Sequence, residues 1–89
     1  MNLHTEDLPF AAFLHATRLL RFLGCESVNG SGRIIFVFDD PEDDGDRLQI
    51  DFESGAECPA AVFYDSVRHL RRVMTRVQSK GIFEHEHNH

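Results

Sequence analysis

The chain has 89 residues, enough for one modest hydrophobic core and too few for two. Apolar residues make up 42% of it, with eight Phe and no Trp, which excludes an intrinsically disordered chain. A formal charge of −6 argues against a protein that coats nucleic acid with its whole surface, but the acids crowd the middle and the bases crowd the last helical pattern.

The N-terminal stretch MNLHTEDLPF lacks a basic region followed by an apolar core, and no apolar run approaches membrane-spanning length. Cys25 and Cys58 form no CxxC pattern, unlike the paired cysteines of small secreted domains. These features predict a cytoplasmic chain with a single compact domain over residues 1–81 and a frayed, His- and Glu-rich tail over 82–89.

Thr5 and Asp7 are both suitable helix caps, and Pro9 suits a first turn. The following LPFAAFLHATRLL is apolar nearly all round, so a helix is expected over about residues 8–18, packed on more than one side. His15 reads as a satisfied, half-buried imidazole, since local spacing brings no Asp, Cys or Ser to it. Beyond Leu19 a helix could continue to Leu23-Gly24, or the chain could turn into a strand. The Asn-Gly-Ser-Gly signal at 29–32 marks a hairpin that needs a partner strand before it, which favours a strand at 21–28.

RIIFVFDD is the clearest strand, β-branched and aromatic throughout, and its apolar run predicts a central position. Residues 39–46, DDPEDDGD, place six acids in eight positions and read as a solvated loop. Next, RLQIDFES alternates Leu48, Ile50 and Phe52 with Gln49, Asp51 and Glu53, the period of a half-buried strand. Residues 59–78 then carry Phe63, Val67, Leu70, Met74 and Val77 at helical spacing, widened by Val62 and Val73. Pro59 is expected at the first helical position, and Lys80-Gly81 as the stop. The fold class is α+β: a three-stranded antiparallel meander covered by two helices, in the order α-β-β-β-α.

The last helix places Arg68, Arg72 and Arg76 on one face with Arg71 beside them. Such a row is either a solvated face paired with acids elsewhere or a surface for phosphate or an acidic partner.

Taken together, TEDLPFAAFL, the FVFDD strand and PAAVFYDSVRHLRR resemble a family of small uncharacterised proteins scattered through bacteria, phages and other mobile elements. The resemblance covers about three quarters of the chain and follows the pattern T-x-D-L…F-V-F…F-Y-D-x-x-R-x-L-R. The family usually carries glycine after its first helix, where this chain has Arg18-Leu19. It implies a fold and a mobile-element setting, and no activity or site residues.

Asp40, Glu42, Asp44, Gly45, Asp46 and Asp51 fall at calcium-loop spacing, but Pro41 and Arg47 break the pattern and Asp51 is too short for its bidentate position. His85, His87 and His89 alternate with Glu84 and Glu86, and adventitious metal binding is the expectation there. A nucleophile with a base would have to come from Cys25, Cys58, Ser66 or Tyr64 with His15 or His69; Tyr64, Asp65 and His69 lie about one helical turn apart. The expectation is a non-enzyme without cofactor or metal. Its partner surface is the acidic group Asp39, Asp40, Glu42, Asp43, Asp44 and Asp46, which imitates nucleic-acid phosphates and occupies a protein complex such as a nucleic-acid-binding host machine. The alternative is a nucleic-acid-binding module that uses Arg68, Arg71, Arg72 and Arg76.

Overall fold

The computed structural model describes residues 1–28 and 32–80, and its elements run β1 (Asn2–Thr5), α1 (Leu8–Thr17), β2 (Arg21–Ser27), β3 (Ile34–Asp39), α2 (Gly45–Glu53) and α3 (Ala60–Lys80). The class is α+β as expected, with three antiparallel strands, but there are three helices. The strand expected over residues 47–54 is helical, and the third strand comes from the N-terminus. The sheet order is therefore β1-β3-β2, with the apolar β3 central as its composition demands.

Residues 45–53 fold as a helix because Leu48 and Phe52 are four apart, and one helical face buries both. Leu48 is 4% exposed and Phe52 packs on the Phe10 and Phe13 rings at 5.7 and 5.1 Å, while Ile50 is left 62% exposed. Arg47–Asp51 and Gln49–Glu53 side-chain bonds span successive turns on the outer surface. The alternation that suggests a strand thus owes one of its three apolar members to the solvent side of a helix.

Asp7 caps α1, accepting from the Phe10 N–H at 3.1 Å, and Thr5 accepts from the Asp7 N–H. Residues 10–14 are all buried, as expected of a helix apolar nearly all round. The helix ends one residue before the expected boundary, at Arg18, whose φ of 60° and ψ of 25° are left-handed. That is the conformation that favours glycine.

In β3, Ile34, Phe36 and Phe38 point into the core, where β2 contributes Phe22 and Cys25 opposite Phe38 and Phe36. A bulge at Leu23 between Phe22 and Gly24 preserves this facing on both sides of it. The Val28 N–H donates to the Arg33 carbonyl across the hairpin; the expected turn residues 29–31 lie outside the described residues, as do the Gly81 stop and the tail. α3 buries Leu70, Val73 and Val77 completely, with Phe63, Val67 and Met74 beside them. Its first turn starts at Ala60, with Pro59 just outside and its carbonyl accepting from the Phe63 N–H. Val62 lies off the buried face and Ser66 lies on it.

The helical reading of α2 makes two substitutions diverge. Phe52→Ala should lower stability by about 2 kcal/mol, less than a fully enclosed Phe because the ring is half-buried. Ile50→Ala should change it by no more than about 0.5 kcal/mol. Denaturant unfolding measures both, and equal losses would favour the strand.

Candidate functional site

The acidic segment is not a uniformly solvated loop. Asp39 is the last residue of β3, and Gly45 and Asp46 already belong to α2. Between them Asp40 is 2% exposed and all of its polar groups are engaged. Its N–H donates to the Met1 carbonyl, and its own carbonyl accepts from Asp43. One carboxylate oxygen accepts from the Asp44 N–H and the other from the Gly45 N–H, both at 2.9 Å. Helix starts leave such donors without intrahelical partners, and a carboxylate there also meets the positive end of the helix dipole. Gly45 fits for a steric reason too: a Cβ there would stand 2.5 Å from Leu3 Cδ1.

Asp40 is thus the internal anchor of the acidic turn and no part of its outer surface, a correction to the expected partner-binding set. Asp39 lies 3.7 Å from Arg21. Asp44 lies 3.2 Å from Arg47, which also reaches Asp51 at 3.3 Å; the hydrogen bond and charge of Asp44 raise the Arg47 pKa above its ordinary value. Glu42, Asp43 and Asp46 are exposed and have no ion-pair partner among the described residues. Asp43 adopts a φ of 55°, which Asp tolerates better than most residues and which turns the chain toward α2. The calcium-loop spacing disperses in three dimensions: Asp40 is committed to backbone amides and Asp51 to Arg47. Among the described residues no group of three or more His, Cys, Asp or Glu is placed to hold a metal ion.

The arginine face is less uniform than its spacing suggests. Arg68 lies 3.6 Å from Asp65 and 5.5 Å from the centre of the Tyr64 ring, and so is already engaged on its own helix. Arg76 also has a partner. Arg71 and Arg72 are exposed without an ion pair among the described residues. Tyr64, Asp65 and His69 do not gather as a cluster, because Arg68 takes the first two and His69 stacks on His15 with ring centres 5.1 Å apart.

That stack belongs to a constellation that local spacing missed. His15 Nδ1 lies 2.9 Å from Ser66 Oγ, across 51 residues of chain, and the His15 ring meets Phe22 edge-on at 5.8 Å. His15, Ser66 and His69 floor a cleft of about 360 Å³ between α1 and α3, with Arg18 and Arg72 also on its lining. As a nucleophile Ser66 is poorly placed, in mid-helix and 4% exposed; its bond to His15 satisfies a buried hydroxyl. Only the helical period, which puts Ser66 on the buried face with Phe63 and Leu70, hinted at this contact. Cys58 lies away from it, its sulfur 3.8 Å from the Pro59 carbonyl.

Protein-family models, curated proteins and solved structures were all compared with the chain, and none matches it.

The anchoring role of Asp40 separates it from its acidic neighbours. Asp40→Ala should lower stability by about 2–3 kcal/mol, because it strands two amide donors and a cap. Glu42→Gln and Asp43→Asn should each lie within about 0.5 kcal/mol of the parent in the same chemical unfolding experiment.

Proposed function

We propose that this is a non-catalytic binding protein of phage or mobile-element type, which acts by occupying a surface of a macromolecular partner. The contact surface is Glu42, Asp43 and Asp46, flanked by Asp39 and Asp44. The observation that carries this reading is the buried Asp40, whose carboxylate accepts two hydrogen bonds from the turn and whose backbone makes two more, while Glu42, Asp43 and Asp46 face water. A rigid display of negative charge loses little entropy on docking, so it suits imitation of a phosphate row better than a floppy acidic loop does. A partner of matching chemistry has a basic groove, as nucleic-acid-binding host machines do; in the sharpest form the protein is an anti-defence inhibitor working in the cytoplasm. The sequence resemblance to mobile-element proteins supports that setting.

The arginine face supports a second reading, nucleic-acid binding, through Arg71 and Arg72, whose charges are not used by ion pairs among the described residues. It is the weaker of the two, since Arg68 and Arg76 are engaged within the protein.

Affinity capture from bacterial lysate, with and without nuclease, tests the choice. The acidic reading predicts a discrete protein complex in both halves, lost when Glu42, Asp43 and Asp46 are all changed to Lys with Asp40 kept. Capture that disappears with nuclease, or that survives the charge reversal, would count against it.

A further inference from the structure

The cleft between α1 and α3 has no part in the acidic contact surface. Its floor is the His15–Ser66 pair and the stacked His69, and its rim carries Arg18 and Arg72. Arg18 and Arg72 have no ion-pair partner among the described residues, and the one acid on the lining, Asp65, already faces Arg68 at 3.6 Å. In a chain of net charge −6, this is a local concentration of positive charge and hydrogen-bonding groups. Guanidinium groups match the geometry of oxyanions, and a partly enclosed cleft strengthens each such bond relative to open water. Ala16 and Val62 complete the lining with apolar surface, and about 360 Å³ holds a phosphate group with a small organic body.

Arg18 adds an independent sign. It holds the left-handed position after α1, where glycine would be favoured, and it lines the neighbouring cavity with Leu20, Arg21 and Phe22 as well. The left-handed backbone favours glycine here, while the guanidinium meets the negative end of α1 and also stands at the rim of the cleft.

We propose that the His15–Ser66–His69 cleft binds the phosphomonoester group of a small molecule, with Arg18 and Arg72 as its charged clamps. The clamps would close on the phosphate oxygens, Arg72 from α3 and Arg18 from the turn after α1, while the imidazole and hydroxyl floor orients them.

Inorganic phosphate is the first probe, titrated against chloride at matched ionic strength while the ring resonances of His15 and His69 are followed by NMR. The site predicts saturable shifts of both rings with phosphate and none with chloride. Arg72→Ala should weaken the binding about tenfold, the usual effect of losing one charged hydrogen-bonding partner. Arg18→Gly should weaken it to a similar degree while the thermal midpoint stays equal or rises, because glycine relieves the left-handed backbone. That pairing distinguishes a binding role from a structural one. Adenosine monophosphate should bind at least as well as phosphate. Unsaturable shifts, affinity unchanged from the parent protein in both variants, or tighter binding of an oligonucleotide lacking terminal phosphates would each overturn the proposal. These outcomes do not depend on the acidic turn, so either proposal can fail alone.

Discussion

The Asp40 carboxylate sits at the point where β3 leaves the sheet and accepts hydrogen bonds from the amides of the α2 N-cap, Asp44, and of its first residue, Gly45. Its backbone extends the pairing with β1 to the Met1 carbonyl. A buried carboxylate is costly unless hydrogen bonds and favourable fields compensate it, and here two amide donors and a helix N-terminus do so. Two features depend on it together: the start of α2 and the outward presentation of the remaining acids. Without this residue the segment would be a run of like charges with no reason to hold one shape.

The same segment shows how one composition serves two purposes. One acid is spent on the fold, two are partly offset by Arg21 and Arg47, and Glu42, Asp43 and Asp46 are left facing water. Counting acids overstates the available surface, because a carboxylate turned inward attracts no partner. The arginine face behaves likewise: Arg68 is drawn to Asp65 and Tyr64, while Arg71 and Arg72 extend into solvent. Opposite ends of the charge distribution are thus each thinned by internal pairing, and what remains is concentrated at the acidic turn and at the α1–α3 cleft.

Long, strongly periodic stretches were legible in the sequence. α1, α3, β3 and the hairpin strand β2 all lie within a few residues of their expected bounds, since each buries a face with the matching period. The segment 47–54 misleads because Leu48, Ile50 and Phe52 satisfy a two-residue period and Leu48 with Phe52 also satisfies a helical one. The side-chain pairs Arg47–Asp51 and Gln49–Glu53, each four apart, were the discriminating signal. β1 is four residues long, too short for any period, and its place beside β3 is set by tertiary pairing. At the candidate surface, the outward acids were legible, but the inward turn of Asp40 was not, since identical residue types carry no mark of their facing. The His15–Ser66 contact was equally hidden, as no local rule links residues 51 apart.

The central claim is that Asp40 makes the acidic turn rigid, and amide hydrogen exchange of Asp44 and Gly45 tests it most directly. Both amides belong to the start of a helix, where exchange is ordinarily fast because no intrahelical carbonyl accepts them. With the carboxylate bonded to both, they should be protected well beyond the amide of the exposed neighbour Glu42. Exchange of all three at the rate of an unstructured chain would mean that the turn is loose, and the account of a pre-formed acidic surface would be wrong.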